Sequence, residues 1–145
     1  MDISIIKKSF SLNLYGVSGT AINRNWTETG FKLMDEMWKQ IKAGGLKHKG
    51  MNIWVYEENY KMFAGVEIEG APVNHTALEP KNINLPKYAY YKHIGSYSQL
   101  RSAGSKVLDE LERRGIKTCW PYIEIYGHWT ADETKLETEL LWCLK

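Results

Sequence analysis

Hydrophobic periodicity in the first part of the chain is typical of a strand followed by a helix. Apolar and polar positions alternate over residues 11–21, which predicts a strand that Gly16 and Gly19 allow to bend. A helix is predicted next, with Thr27 as its N-cap and Gly44-Gly45 as its C-terminal signal. Its apolar residues recur every three or four positions, as in a helix that faces a core: Phe31, Met34, Met37, Trp38 and Ile41.

A hairpin follows this helix, and the same order then repeats. Period-two alternation over residues 51–57 and 60–69 predicts two strands joined by a short turn. After a proline-containing connector over 72–86, a strand, a helix ending at Gly115 and a second hairpin over residues 122–144 are predicted. The second helix has its own apolar stripe: Leu100, Val107, Leu108 and Leu111.

The two halves match when 70 is added to the residue number. This offset predicts a tandem βαββ repeat with pseudo-two-fold symmetry, with repeat 1 at about 1–71, the connector at 72–86 and repeat 2 at about 87–145. The alternative is two unrelated units that share generic spacing. The fold class is therefore α+β, with antiparallel sheets, two main helices and a central cleft that suits a ligand. The matched positions include Met37 and Val107, Trp38 and Leu108, Ile41 and Leu111, Gly45 and Gly115, and Ile53 and Ile123.

The middle strand of each repeat has two unlike faces. The aliphatic face is expected to pack on the helices and carries Ile53, Val55, Ile123 and Ile125. The other face is either a solvated sheet surface or the wall of a ligand site, and the second is favoured because the rings would otherwise form a large exposed apolar patch. This face carries Asn52, Trp54, Tyr56, Tyr122, Glu124 and Tyr126.

A second acid, Glu139, precedes an apolar run in the last predicted strand. It is either a charge that protects a sheet edge or a partly buried carboxylate. With Glu124, it would suit an organic cation held by aromatic rings. Those rings are Trp54, Tyr56, Tyr122 and Tyr126. The two acids would alternatively form a general acid/base pair, since burial tends to separate their pKa values. Strand register decides whether they share a face, and the sequence leaves it open.

The composition indicates which classes of partner and cofactor are not expected for the chain. The 145 residues include 19 basic and 17 acidic side chains that are scattered, so a nucleic-acid-binding surface is not expected. The six Trp and nine Tyr outnumber the three Phe, and such amphipathic rings suit half-polar pockets. No signal peptide or membrane span is predicted, so the cytoplasm is expected. The two cysteines, Cys119 and Cys143, do not resemble a disulfide framework, and neither they nor the four histidines have metal-site spacing, so no metal or other cofactor is expected.

The second half resembles the GyrI-like, or AraC-type effector-binding, domain. The resemblance rests on a strand running into Gly95-Ser96-Tyr97, a helix, a Pro-x-x-Glu-x-Tyr strand over residues 121–126 and an acidic closing strand with Glu139. The first half is similar in Leu14-Tyr15-Gly16-Val17-Ser18 and in its Met37-Trp38 helix, so nearly the whole chain is covered.

This resemblance implies a binder of bulky, cationic or amphipathic aromatic compounds. Family members occur fused to DNA-binding regions in bacterial drug-sensing regulators and also alone, as expected here. The positions that match the family's counter-charge are Glu124 and Glu139. The strand faces described above supply the ligand-binding rings: Trp54, Tyr56, Tyr122 and Tyr126. Two alternatives stay open: a hydrolase of strained cyclopropane-containing natural products that uses Glu124, Glu139 and Tyr126, or a gyrase-inhibitor-like module that binds a protein. An exposed apolar edge would also allow a homodimer.

Overall fold

Alternating strand and helix patterns produce the predicted α+β class. The computed structural model describes residues 2–70 and 77–145, and those residues form two helices and eight strands. The elements are β1 Ser4–Ile6, β2 Phe10–Thr20, α1 Trp26–Gly44, β3 Ile53–Tyr56, β4 Lys61–Val66, β5 Glu79–Leu85, β6 Tyr88–Ile94, α2 Leu100–Arg113, β7 Thr118–Tyr126 and β8 Glu137–Leu144.

All the strands of the described ranges belong to one antiparallel sheet with the order β1-β6-β8-β7-β3-β4-β2-β5. The order reads the same from either edge when each strand is exchanged for its counterpart in the other half. At the centre, β3 pairs with β7, with Ile53 opposite Ile125 and Val55 opposite Ile123. At the edges, β1 borders β6 and β5 borders β2, so each half receives its outermost strand from the segment preceding the other half.

Helix α1 begins at Trp26, one residue before the predicted N-cap at Thr27. The cap is Asn25, whose side chain accepts a hydrogen bond from the Glu28 backbone N–H at 3.1 Å. Its amide Nδ2 donates to the Glu28 carboxylate at 2.7 Å, so the two side chains close the helix end reciprocally. The predicted C-terminus is confirmed, since Gly45 adopts the left-handed conformation with φ 59°. Of the helices in the described ranges, none has the length and apolarity needed to cross a membrane.

The aliphatic face of the central strands does not pack on the helices, contrary to the sequence expectation. The side chains of Ile53, Val55 and Ile123 instead form a core with apolar residues of the outer strands. Curvature of the sheet explains this core. The rings of Phe10 in β2 and Tyr88 in β6 lie 5.7 Å apart, although four strands separate β2 from β6 in the sheet. The open sheet is therefore curved, so that aliphatic side chains of its central and outer strands pack together on one face. The helices pack on the other face.

The helices cover the outer parts of that opposite face. Met37 and Ile41 of α1 pack with Val66 of β4, and Val107 of α2 packs with Ala89 of β6. Helix α1 also contacts β2, so both helices lie over the flanks of the sheet. The face of β3 and β7 lies between them and is left for a cleft.

The predicted connector contains a strand. Strand β5 occupies residues 79–85 of the expected loop, and residues 71–76 of the connector lie outside the described residues. The prolines argued against a strand, but Pro80 lies in an edge strand, where a residue without a backbone N–H is tolerated. The short strand β1 was not predicted either, because three residues are too few to show a period.

Cys119 and Cys143 form a disulfide, contrary to the expectation from cysteine number and spacing. Their Cα atoms are 5.1 Å apart, within the usual range for such a bridge. The cause is strand pairing. Thr118 of β7 lies opposite Leu144 of β8, which brings the two neighbouring cysteines together although 24 positions separate them in the chain.

Candidate functional site

The central strands β3 and β7 turn their polar-aromatic faces toward the space between the helices. Trp54 lies directly opposite Glu124, and Tyr56 lies opposite Tyr122. Tyr126 shares this face because it lies two residues beyond Glu124 and strand side chains alternate. One carboxylate and four aromatic rings therefore share the surface between α1 and α2.

Three tyrosine hydroxyls hold the carboxylate of Glu124. Tyr56 and Tyr126 donate to Oε1 at 2.5 and 2.6 Å, and Tyr122 donates to Oε2 at 2.9 Å. The Glu124 side chain is buried, with the residue 7% exposed. A carboxylate has roughly four acceptor positions, so three donors leave capacity for one more. The three hydrogen bonds fix the carboxylate in one orientation at the wall of the cavity.

No cation neutralises Glu124 from within residues 2–70 and 77–145. Every salt bridge in that part of the chain involves other acids. Nor do those residues include a group of three or more His, Cys, Asp or Glu side chains that would hold a metal ion. Burial of an unpaired charge costs free energy, which the tyrosine hydrogen bonds offset in part. A cation entering the cavity would be attracted by the remaining uncompensated charge.

The same environment keeps the three tyrosines protonated. Burial is the main cause that raises the pKa of Tyr56, Tyr122 and Tyr126 well above the ordinary value. The negative charge of Glu124 raises each pKa further, because a phenolate beside a carboxylate would be repelled. At neutral pH the hydroxyls therefore remain donors to Glu124.

Ring-to-ring contacts brace the aromatic walls. The Trp54 ring meets Phe31 and Tyr126 edge to face, with both centroid distances at 5.4 Å. On the α2 side, Trp142 stacks on Tyr122 with centroids 3.8 Å apart. Rings held by neighbours lose little conformational freedom when a ligand binds, so less of the binding energy is spent on ordering them.

These walls enclose a cavity of about 900 Å³, which is within the range of small-molecule sites. Three of its aromatic residues are strongly exposed at its surface: Trp129 at 75%, Phe31 at 52% and Trp120 at 49%. Arg24 and Arg101 also line it and are exposed. The cavity thus has a buried negative charge, apolar walls, and positive charge only at solvent-exposed positions.

Five of the six predicted site residues line this one cavity: Trp54, Tyr56, Tyr122, Glu124 and Tyr126. Glu139 does not. It lies opposite Ile125 in the β7–β8 pair, whereas Glu124 lies opposite Leu140. Directly paired residues point to the same face, so the two acids project from opposite faces of the sheet. Glu139 instead accepts a hydrogen bond from the Tyr90 hydroxyl at 2.6 Å.

Several cavity residues were missed or misassigned from the sequence. Phe31 was placed in the core stripe of α1, and Trp142 would have been found from the register of β8, since it lies two residues from Leu140. Trp120 and Trp129 lie in segments without regular alternation, so no periodic signal identifies them. The missed aromatic residues are Trp26, Phe31, Tyr97, Trp120, Trp129 and Trp142.

Comparisons with solved structures identify the fold. The chain is similar to the EcmrR C-terminal domain, at 15% identity and a TM-score of 0.75, with 99% of this chain and 97% of that chain covered. The fold is shared. The SAV2435 structure, bound to tetraphenylphosphonium, matches at 18% identity and a TM-score of 0.66, covering 100% and 94%. A hydrolase from Listeria innocua matches at 12% identity and a TM-score of 0.57, covering 99% and 91%. These neighbours are consistent with the effector-binding fold implied by the resemblance. Neither a family model nor a curated protein sequence matches the chain.

Proposed function

We propose that the protein binds bulky cationic or amphipathic aromatic molecules in this cavity. Glu124 supplies the counter-charge, and Trp54, Tyr56, Tyr122 and Tyr126 supply the aromatic surface. The observation that carries the proposal is the buried Glu124 carboxylate, which has three hydroxyl donors and no cation partner among the described residues.

Several further features support an organic cation over a small inorganic one. The cavity is far larger than a metal ion needs, and ten aromatic residues line it. Ring faces attract organic cations by about 0.5 to 2 kcal/mol each, depending on desolvation. The structural neighbour SAV2435 was solved with tetraphenylphosphonium, a cation of this kind.

The hypothesis of a hydrolase with paired acids has no support from the positions of Glu124 and Glu139. It required Glu124 and Glu139 in one pocket, and the strand register places them on opposite faces. The likeness to a hydrolase is at 12% identity and speaks for the fold alone. The protein-binding module and the homodimer stay predictions from the sequence.

Titration with tetraphenylphosphonium, followed by Trp fluorescence and calorimetry, tests the proposal. Wild type is expected to bind saturably, because the cation brings four rings and one positive charge into contact with the cavity walls. Glu124→Gln keeps the shape of the side chain and removes its charge. We expect it to weaken binding by about fivefold to about 150-fold, because it loses a charged partner worth about 1 to 3 kcal/mol.

The matched control is Glu139→Gln, the same chemical change on the other face of the sheet. It is expected to leave the affinity unchanged. Triphenylphosphine oxide, an uncharged compound with similar rings, should bind wild type and Glu124→Gln alike. Equal affinity of the phosphonium for wild type and Glu124→Gln would contradict the role of the carboxylate, and absence of binding to wild type would contradict the proposed function.

A further inference from the structure

Gly104 lies in the interior of helix α2 and is buried. Glycine in a helix interior costs about 0.5 to 1 kcal/mol relative to alanine, because the unfolded chain gains more freedom from it. Its backbone here does not need glycine, since positive φ angles occur at other glycines of the described chain and not at this one. The presence of glycine at this position therefore needs another reason.

Packing within the chain does not supply that reason. A methyl group built at Gly104 would meet only the hydroxyl of Tyr122, at an ordinary contact distance of 3.7 Å. Gly30 of helix α1 shows the contrast. There an added methyl would lie 2.3 Å from the ring of Trp54, so the ring or the helix would have to move. Next to Gly104 the fold leaves room for a side chain and does not use it.

That unused room belongs to the cavity. Gly104 lines it beside Tyr122, whose hydroxyl donates to Glu124. The repeat offset pairs Gly104 with Met34 of α1, which also lines the cavity and carries a long side chain. At these two equivalent positions the cavity is lined by a long side chain on α1 and by no side chain on α2, where Gly104 lies beside Tyr122.

We propose that Gly104 creates a subsite for a bulky aryl group of the ligand, against α2 and beside Tyr122. This inference rests on the proposed function and adds to it the orientation of the bound ligand. With its charge at Glu124, the ligand extends one ring toward Gly104, and the absent side chain sets how large that group can be. Small alkyl cations reach Glu124 without entering the subsite.

The variant Gly104→Ala tests this subsite. Alanine favours the helix and has room, so the thermal midpoint is expected to rise. Tetraphenylphosphonium is expected to bind about tenfold or more weakly, because the methyl group occupies space that a phenyl ring needs. Tetraethylphosphonium, which has the same charge and no rings, should bind the variant and wild type within about twofold.

Ser102→Ala is the matched control, since Ser102 is exposed on the same helix and does not line the cavity. It should leave the affinity for both cations unchanged. A lower thermal midpoint of Gly104→Ala would overturn the inference by showing that the fold needs glycine there. Unchanged phosphonium binding, or equal weakening of both cations, would also overturn it. If wild type bound neither cation, the proposed function would fail and the subsite with it, whereas the other results contradict the subsite alone.

Discussion

Gly30 shows how one residue without a side chain allows the aromatic wall to form. The ring of Trp54 lies so close to helix α1 that a methyl group at residue 30 would be 2.3 Å from it, and 2.7 Å from the end of the Met62 side chain. The methionine can move, but the indole is fixed between Phe31 and Tyr126. The position of Trp54 in the site therefore depends on this glycine.

We expect Gly30→Ala to lower the free energy of unfolding despite the better helix propensity of alanine. The propensity gain is about 1 kcal/mol, and the overpacking costs typically about 1 to 3 kcal/mol, so the net change is a loss of up to about 2 kcal/mol. Urea unfolding measures it. Gly104→Ala is the comparison, with the opposite expected sign, and a stabilised Gly30→Ala would show that Trp54 moves aside freely.

At the level of single residues, the sequence predicted the faces of the central strands and left the face of Glu139 open. Alternation within a strand assigns Trp54, Tyr56, Glu124 and Tyr126 to one face, which lines the cavity, without knowledge of any neighbour. The face of Glu139 relative to Glu124 depends on the register of β8 against β7, in which Glu139 lies opposite Ile125. A shift of one residue reverses the face, and no local pattern records it.

Among the elements, helix α1 carries the cavity wall that faces α2, and its start is fixed by Asn25. We expect Asn25→Ala to lower the free energy of unfolding by about 1 kcal/mol, because the first-turn N–H of Glu28 loses its acceptor. Chemical denaturation followed by circular dichroism measures the change. Asn25→Ser, which retains an acceptor at the helix N-terminus and adds no charge beside Glu28, should restore most of the stability. Equal loss in both variants would show that the cap is not the cause.

Element types could be predicted from the sequence, but the arrangement of the layers could not. Periodicity identified both helices and the central hairpins. It could not reveal that Ile53 and Ile123 pack within a curved sheet and not under the helices, because either partner presents the same apolar surface. Strand β5 was hidden for another reason: Pro80 is unfavourable in a central strand and tolerable at an edge, and edge position is a property of the finished sheet.

For the whole molecule, exchange of the edge strands joins the two halves. Because β1 pairs with β6 and β5 pairs with β2, separating the halves would break pairing at both edges as well as the central β3–β7 pair. The molecule is therefore expected to unfold as one cooperative unit. Global unfolding then exposes the buried tyrosines, so their pKa values affect the measured free energy of unfolding.

The raised pKa values of these tyrosines predict a loss of stability at alkaline pH. Below the ordinary tyrosine pKa of about 10, both folded and unfolded chains hold these protons, and the stabilisation is complete. Above it, the unfolded chain releases protons that Tyr56, Tyr122 and Tyr126 retain in the fold, so the free energy of unfolding falls as pH rises. Denaturant unfolding measured from neutral pH to about pH 11 should show this decline.

The variant Tyr56→Phe separates this effect from the titration of lysines. It should reduce the steepness of the decline by about one proton, because it removes one of the hydroxyls that stay protonated in the fold. An unchanged slope would contradict the contribution of Tyr56. Tyrosinate absorbance gives a second check, since fewer than nine tyrosines should ionise before the protein unfolds. Ionisation of all nine in the folded protein would contradict the buried tyrosine cluster.

Trp54 of β3 and Glu124 of β7 lie directly opposite each other at the centre of the sheet. The β3 side and the β7 side of the cleft are therefore chemically different. A symmetric dimer of identical half-chains would place the same residue at both positions, giving two acids or none. In a single chain the two positions differ, so the cleft has a polarity that its backbone lacks. An unsymmetrical cation would then be bound in one direction only, so a slowly exchanging complex should give a single set of nuclear magnetic resonance signals for the bound cation. Two sets would contradict this polarity.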